Sequence, residues 1–567
     1  MQNTFRMKNW KEMPISDGKT PVIIYFSRIY YRYERFDYKD LKTGILLLDF
    51  SKRYSKEILL TERKREMKNY KKIFVMLLIA MLISACTAQE NTPEIADVKT
   101  ELTMGYTTEP EGLDPHRTAA ASTFTVTNNI YDTLVGVTPQ WLTEPRLAKE
   151  WVISDDGMEI TFTLRDDVYF HNGRQMTAKD VEYSFNRLKD AESPRARDYE
   201  NITKIEVLDD YEIKFTTASL DVEILKSFVY PWAAVVPEEE TANLKTKPVG
   251  TGAFTLEEWV PQQHLILKRN DNYYGDEIKL ETVKMVLIPD ATSMMAGFQV
   301  GDLDIIPLTG DQVTMVEGNE DYKVISEPMN AVQIMSLNTN NEYLSNEKVR
   351  QAMAMAINKD EVIEASTFGY GAKIGSHLPP TSPDYFDANN IIEYNPEKAK
   401  ELLKEAGYEN GFEIDMSLPK NYQLHVDAGQ VIADQLGRIG IDVNIQLIEW
   451  GTWLSEVYGA KNFDSTVVGH TGRLDSYAFL ARYKSDSNDY ISLTTGEVDE
   501  LLENALKELD ENKRKEIFKE IQVILANKLP AIYLQTPHTM LVLQKNVEGM
   551  EIFPIDFYDF KEVYFTE

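Results

Sequence analysis

The sequence predicts a mixed α/β protein of two or three domains. Strand-like and helix-like patterns alternate along the chain, which is typical of α/β domains. Residues 87–567 are too many for one compact core, and 43% of the chain is hydrophobic, as in a folded globular protein. This part contains no tandem repeat and no long Gly/Ser linker, so ordinary crossings of the chain must join the domains.

Three segments are predicted as strands. Residues 159–164 alternate polar and apolar side chains, as a strand does when one of its faces is buried. Residues 281–289 and 442–449 show the same period of two.

Helices are predicted where apolar residues recur three and four positions apart. Residues 178–188 show this pattern. Asn395 is a typical N-cap followed by Pro396 in the first turn, and Gly407 is expected to end that helix. Two further helices with the same period are predicted over 498–509 and 517–525.

The single cysteine, Cys86, closes a short apolar segment. A basic start at Met67 precedes an apolar run over 73–83, which is shorter than the roughly 20 residues that span a bilayer. The last four residues, 83–86, read Ile-Ser-Ala-Cys and resemble the bacterial lipoprotein box. We therefore expect a lipoprotein signal peptide over 67–86, with lipidation of Cys86. An uncleaved anchor or a chance apolar run remains the alternative.

The segments on either side of this signal carry little predicted structure. Residues 1–66 are rich in aromatic and basic residues without a clear period, so we expect a start-site artefact or a disordered leader, with translation beginning at Met67. Residues 87–99 are polar and contain proline, which is typical of a flexible tether.

The charge of the chain limits the classes of partner that it can bind. The formal net charge is −31 although the part up to Cys86 is net positive, so the remainder is strongly acidic. Such a surface repels nucleic acid and anionic membranes. No cysteine follows Cys86, which excludes disulfides and thiolate metal sites from the body of the protein.

Motifs for catalysis are absent from the sequence. There is no Gly-x-Ser-x-Gly elbow, His-Glu-x-x-His pair, phosphate-binding loop or complete dinucleotide fingerprint. The Gly250-Thr251-Gly252 segment is interpreted as a turn between strands. None of the seven histidines shows metal-ligand spacing. We expect no enzyme, no metal and no cofactor.

A family resemblance rests on motifs between residues 147 and 188. These are Leu-Ala-Lys-Glu-Trp at 147–151, Asp-Gly at 156–157, Phe-Thr-Leu-Arg-Asp-Asp-Val at 162–168, Phe-His-Asn-Gly at 170–173, Thr-Ala-Lys-Asp-Val at 177–181 and Ser-Phe at 184–185. They resemble the extracytoplasmic solute-binding proteins of family 5, the peptide and nickel family that serves ABC importers. Further matches lie at 113–116, 130–135, 248–254, 349–352, 357–359 and 498–502, with Ala253 where the family has proline.

The resemblance implies the fold in more detail. It implies a periplasmic-binding-protein-like fold of type II, in the large cluster with an extra subdomain, whose ligand lies in a cleft between two α/β lobes that close by a hinge motion. Lobe I is then expected over 100–330 plus 536–567, with a small subdomain at about 140–245. Lobe II is expected over 331–535.

The resemblance also implies a function. We expect the substrate-binding component of an ABC importer, a monomer held outside the cell membrane by its lipid anchor, with a permease and an ATPase as partners. The expected ligand is a short peptide or a related amino-acid-like solute. Three alternatives stay open: a binder of nickel, another metal chelate or another small charged solute within the same family, a peptide-sensing receptor without a transport role, and a hydrolase or amidase acting through Asp475 or His470.

The segment around residue 475 is expected to contact the ligand. Peptide-binding members place an aspartate about three residues before Asp475 to pair with the peptide ammonium, but Gly472 stands there. Asp475 or Glu109 is expected to take that role, and Arg473 to clamp a ligand carboxylate through two hydrogen bonds. Alternatively, Arg473 and Asp475 pair with each other or face solvent. The other ligand-binding candidates are His470, Trp450, Trp453, Trp232, Tyr422 and Lys420.

Two differences from the nickel-binding members of the family weaken the metal-chelate alternative. Residues 230–234 contain no arginine where nickel-binding members have one, and no histidine soon follows Leu480. Arg195 and Arg197 would still supply positive charge.

Overall fold

The computed structural model describes residues 98–567 except 472, 488, 492–495 and 556. The predicted leader, the predicted signal peptide with Cys86 and residues 87–97 of the predicted tether lie outside the described residues.

Among the helices of that described range, none combines the length and the apolar character needed to cross a membrane.

The strands of the described part are numbered in chain order. They are β1 Glu101–Tyr106, β2 Val135–Val137, β3 Thr143–Pro145, β4 Ala148–Ile153, β5 Glu159–Leu164, β6 Ile202–Asp209, β7 Glu212–Thr217, β8 Phe254–Val260, β9 His264–Arg269, β10 Thr282–Leu287, β11 Ile305–Pro307, β12 Tyr322–Pro328, β13 Ala331–Leu337, β14 Gly371–Lys373, β15 Phe412–Pro419, β16 Ile441–Ile448, β17 Ser465–Thr471, β18 Ala531–Gln544, β19 Val547–Glu548 and β20 Tyr564–Phe565.

The α-helices are numbered in the same way. They are α1 Ala121–Thr127, α2 Ala178–Leu188, α3 Ala291–Gln299, α4 Gly310–Val313, α5 Glu347–Ala356, α6 Lys359–Thr367, α7 Pro396–Glu405, α8 Gln423–Gly437, α9 Trp450–Thr452, α10 Ser476–Leu480, α11 Asp499–Lys507 and α12 Glu511–Lys528. A π-helical turn, Trp453–Gly459, continues α9, and short 3₁₀ turns include Ala196–Tyr199 and Pro231–Ala233.

One long sheet runs through both lobes. Its order is β16-β15-β17-β13-β18-β11-β1-β10-β9-β8, with β12 and β14 also paired to β18. We call the part built on β1 and β8–β12 the first lobe and the part built on β13–β17 the second lobe. A separate four-stranded sheet, β4-β5-β7-β6, forms a small subdomain.

Strand β18 crosses from one lobe to the other. Its first residues pair with β13 of the second lobe, and its last residues pair with β11 and β12 of the first lobe. The chain crosses a second time at Met329 and Asn330, between β12 and β13, and the Met329 N–H donates to the Pro537 carbonyl at 2.9 Å. The predicted domain boundaries fall at these two crossings, while the division itself stays a prediction.

Helices cover both faces of the sheet in the second lobe. On one face α5, α7 and α8 supply buried residues such as Met353, Leu403 and Ile432. On the other face α11 and α12 supply Leu502 and Phe518. Because both faces are buried, the strands are fixed between two cores, and the loops at the strand ends are held in place.

The small subdomain has an aromatic core. Phe162, Phe185, Phe215 and Phe228 are fully buried, and their ring centroids lie 4.9–5.7 Å apart in edge-to-face or tilted pairs. These distances are typical of favourable aromatic packing. The subdomain therefore presents a stiff surface to the rest of the molecule.

The predicted elements are confirmed with small shifts at their ends. Strand β5 covers 159–164 with alternating burial, and α2 covers 178–188 behind a capping box formed by Thr177 and Asp180. The strands predicted over 281–289 and 442–449 correspond to β10 and β16. The helices predicted after Asn395, over 498–509 and over 517–525 correspond to α7, α11 and part of α12.

The Gly250-Thr251-Gly252 segment forms a bend that leads into β8, rather than a turn between two strands. A Cβ at Gly250 would lie 2.1 Å from the Ile130 carbonyl oxygen, so only glycine allows this close approach. The bend is also held by His171, whose N–H donates to the Gly250 carbonyl at 2.8 Å.

Candidate ligand-binding site

A cavity of about 290 Å³ lies between the lobes, next to the two chain crossings. The first lobe and its small subdomain provide most of the wall, and the crossings and the second lobe provide the rest. The lining residues are Ala119, Ala121, Phe124, Arg195, Tyr230, Trp232, Met329, Asn330, Thr471, Arg473, Thr539, Glu551, Ile552, Phe553, Pro554, Ile555, Phe557 and Tyr558. The wall is mainly apolar and aromatic with a few polar groups, which is the usual composition of a small-molecule site.

Trp232 is one of two predicted residues that line this cavity. It lies in the turn Pro231–Ala233, where proline occupies the first position and fixes the backbone. Its ring stacks on Tyr230 at 4.4 Å with an interplanar angle of 5°, and Phe124 packs at 5.4 Å. The Arg195 guanidinium carbon also lies 4.1 Å from the centre of the Trp232 ring, so the indole packs against both a ring and a cation.

Arg473 is the other predicted residue on the cavity wall. Its Nη2 lies 2.8 Å from Asp198 Oδ1 in the small subdomain, so it pairs across the lobes rather than with Asp475. The charge of Asp198 also raises the pKa of Arg473, against the opposing effect of burial. Arg473 is therefore paired with Asp198 rather than with Asp475, and 39% of its side-chain surface stays exposed.

Asp475 lies on a neighbouring cavity of about 220 Å³ instead of the main one. Its Oδ1 accepts a hydrogen bond from the Ala478 N–H at 2.6 Å and thereby caps α10. Burial raises the pKa of the Asp475 carboxyl, and the charge of Glu223 raises it further. A carboxylate that already caps a helix has less capacity for a ligand ammonium.

His470 belongs to a buried polar network of the second lobe. Its Nδ1 lies 3.0 Å from His377 Nε2 and 2.7 Å from an Arg482 nitrogen, and its Nε2 lies 2.7 Å from the Tyr490 hydroxyl. Burial and the charge of Arg482 lower the pKa of His470 well below its usual value. The neutral ring positions the end of β17, whose last residue, Thr471, reaches the cavity.

Three predicted aromatic residues cluster in the second lobe. Trp450 and Trp453 stack at 4.8 Å with an angle of 8°, and Tyr422 meets Trp450 edge-on at 5.0 Å. Trp453 is a buried core residue whose Nε1–H donates to Thr466 Oγ1 at 2.9 Å. Tyr422 is largely exposed.

Lys420 and Glu109 both have partners elsewhere on the protein. Lys420 follows β15 and pairs with Glu449 at the end of β16, at 2.5 Å. Glu109 accepts a hydrogen bond from the Gln262 N–H at 2.8 Å and another from Trp259 Nε1–H at 3.3 Å. These contacts fix both side chains in their own lobe.

The structure thus brings some of the predicted residues together. Trp232 and Arg473 line the main cavity, and both meet Asp475 at the neighbouring one. Six other candidates line neither of these two cavities, and their contact with a ligand stays a prediction: His470, Trp450, Trp453, Tyr422, Lys420 and Glu109.

Sequence reasoning missed much of the cavity wall. The segment 551–558 provides seven of the lining residues, and Asn330 and Tyr230 were not selected. The aromatic density of 551–558 near the chain end was a signal that could have been used. The position of Asn330 at a crossing could not be found from the sequence because it depends on the pairing of β18.

No group of three or more His, Cys, Asp or Glu side chains is placed to hold a metal ion among the described residues.

Comparisons with known proteins agree with this architecture. Residues 143–490 match the family model described as bacterial extracellular solute-binding proteins, family 5 Middle. The chain is 26% identical over 507 residues to the dipeptide-binding protein of Escherichia coli, covering 81% of this chain and 94% of that protein. It is 30% identical to heme-binding protein A of Haemophilus influenzae, and this match covers 72% of this chain and 81% of that protein.

A solved structure shows the same fold. The periplasmic binding protein DppA of Helicobacter pylori, in complex with the peptide STSA, has a TM-score of 0.67 and 28% identity, and the match covers 83% of this chain and 99% of that chain. The family model spans more than half of the sequence and the structural match spans both lobes. The chain therefore belongs to the bacterial extracellular solute-binding proteins of family 5.

Proposed function

We propose that the protein captures short peptides, or related amino-acid-like solutes, outside the cell membrane and delivers them to an ABC permease. The observation that carries this proposal is the aromatic cavity between the lobes, beside both chain crossings. Its volume of about 290 Å³ lies at the lower end of the roughly 300–1,000 Å³ that is usual for small-molecule sites. A cavity of this size suits a di- or tripeptide better than a long chain.

The names of relatives support a peptide ligand. The Escherichia coli relative is a dipeptide-binding protein, and the Helicobacter pylori structure holds a peptide. For the ammonium group of a peptide we propose Glu551, because this acidic residue lines the main cavity while Asp475 and Glu109 do not.

Contacts across the cleft indicate how the lobes close. Leu474 of the second lobe is buried in the core of the small subdomain, and its N–H donates to the Tyr230 hydroxyl at 2.7 Å. Arg514 of α12 lies 3.2 Å from Glu223 of the subdomain, and both side chains are largely buried. These contacts form only when the second lobe lies against the subdomain, so they stabilise the closed state in which a ligand is enclosed.

Carboxyl groups oppose that closure. Asp221 and Asp475 line the neighbouring cavity, and burial together with the charges of Asp475 and Glu223 raises the pKa of Asp221 to about 6. Lys226, which pairs with Glu223, counteracts part of this effect. Ionising this buried carboxyl costs more free energy than ionising an exposed one, and we propose that this cost opposes closure.

For attachment we propose a lipid on Cys86. The support is the sequence from Met67 to Cys86, which lies outside the described residues. Two or more acyl chains hold a protein durably on a membrane. A tether of this kind would keep the binding protein near its permease.

The ligand class can be measured directly. The full chain, extracted in detergent from cells grown in rich medium, is expected to carry a ladder of short peptide masses in native mass spectrometry, since closed clefts retain their ligand. A single mass with a metal isotope pattern would contradict the peptide proposal in favour of a chelate. A single non-peptide organic mass would contradict it as well.

Arg514→Gln tests closure without touching the main cavity wall. The substitution removes a buried ion pair that forms only on closure, so peptide affinity is expected to fall about three- to tenfold, measured by calorimetry. Arg438→Gln is the matched control, because Arg438 pairs with Asp434 on an exposed helix surface. Equal affinities of the Arg514 variant and the wild type would show that this pair does not contribute to closure.

Asp221→Asn tests the cost of the buried carboxyl. Because the folded pKa of Asp221 lies above its usual value, its contribution to stability is present below about pH 4 and is lost as the pH rises through 6. The free energy of unfolding of the variant should equal that of the wild type at pH 4 and should be about 1–3 kcal/mol higher at pH 7. Thermal unfolding at both pH values measures this, with exposed Asp311→Asn as control. If the variant and the wild type differ in stability by the same amount at both pH values, the raised pKa of Asp221 is contradicted.

Cys86→Ala tests the anchor. Radiolabelled palmitate should enter the wild-type protein and not the variant, and the variant should leave the membrane fraction. Label in the variant, or none in the wild type, would exclude lipidation at this residue.

A further inference from the structure

Arg195 is a cationic side chain on the cavity wall whose guanidinium group is only partly satisfied by hydrogen bonds. It stands at the start of the turn Ala196–Tyr199, and its guanidinium carbon lies 4.1 Å from the centre of the Trp232 ring. Its nearest carboxylate oxygen is Asp198 Oδ2, 3.9 Å from Nη1, which is too long for a hydrogen bond. The buried Nε has no hydrogen-bond partner among the described residues.

Two arginines share one carboxylate at this place. Asp198 forms its short contact with Arg473, at 2.8 Å, and only the longer one with Arg195. The charge of Arg473 also acts against Arg195, and together with burial it lowers the pKa of the Arg195 guanidinium. In the described part of the chain, Arg195 therefore has only the longer ion pair with a carboxylate that it shares with Arg473.

A second unsatisfied atom lies at the chain crossing. The Asn330 Nδ2–H₂ group donates to the Arg473 carbonyl at 3.4 Å, which orients the amide. Its buried Oδ1 accepts no hydrogen bond within the described residues. Arg195 and Asn330 both line the main cavity.

We propose that Arg195 binds the free carboxylate of the ligand and that Asn330 accepts a hydrogen bond from a ligand N–H group. The inference rests on the peptide function proposed above and assigns the orientation of the peptide: its carboxyl end lies against the small subdomain, on the Trp232 face. A guanidinium held flat by an aromatic ring presents its N–H groups edge-on, which suits a carboxylate.

This assignment moves the carboxylate clamp from Arg473 to Arg195. Arg473 already uses its charge to join the lobes through Asp198, so a ligand carboxylate there would compete with closure. At Arg195 the same carboxylate supplies the missing counter-ion and strengthens the closed state. Ligand binding and closure then favour each other.

The experiment uses two sets of probes with the full-length protein in detergent, after removal of bound ligand. One set is a mixture of synthetic di- and tripeptides with free carboxyl ends, and the other is the same mixture as carboxy-terminal amides. Competition calorimetry on the wild type should give a preference of about tenfold or more for the free acids, since an unmatched charged partner is costly. In Arg195→Gln this preference should fall below about threefold.

Control variants separate closure from carboxylate binding. Arg514→Gln should weaken acids and amides by similar factors and leave their ratio unchanged, because Arg514 pairs with Glu223 away from the main cavity. Arg195→Lys should retain part of the preference, since the charge remains while the planar group is lost. Thermal unfolding of each variant checks that the fold is intact.

The outcomes are distinguishable. A wild-type protein that binds neither set overturns the peptide function and with it the inference. If peptides bind but the acid preference survives in Arg195→Gln, or disappears in Arg514→Gln instead, the function stands and the assignment of Arg195 is overturned.

Discussion

The hydrogen-bonded crossing of β18 and the β12–β13 segment is the constraint on which the site depends. Because β18 belongs to the sheet of both lobes, the lobes cannot separate, and their relative motion must be taken up close to the bonded pair Met329 and Pro537. The main cavity lies beside this point, with Asn330 on its wall. A ligand that contacts Asn330 therefore lies beside the strands that join the two lobes.

The balance of charges at the cleft links the closure of the lobes to the recognition of the ligand. Burying a cation without a partner is expensive, and among the described residues the ion pairs of Arg473 and Arg195 both go to Asp198. The lobe contact satisfies one arginine and leaves the other for the ligand. A ligand with a free carboxylate supplies a second negative charge for the two arginines, whereas a neutral ligand does not.

Most of the fold was predictable because it depends on local patterns. The alternation of β5, the capping box of α2 and the Asn395 cap of α7 are written in a few consecutive residues. The site was less predictable, because its wall joins 551–558 to residues hundreds of positions earlier. Arg473 and Trp232 were found through a family resemblance, yet the partner of Arg473 could not be, since Asp198 meets it only across the closed cleft.

The strong negative charge of the chain and the cationic wall of its cavity act over different distances. At physiological ionic strength the fields of exposed charges are screened within about 8 Å, so the net charge of −31 mainly repels polyanions during approach. On the cavity wall, the contact proposed between Arg195 and a ligand carboxylate is direct, and screening is weak at that distance. A zwitterionic peptide has no net charge to be repelled at long range and still offers a carboxylate at short range. The same protein can therefore exclude polyanions at its surface and select for a carboxylate in its cavity, and net charge alone is a poor guide to the ligand.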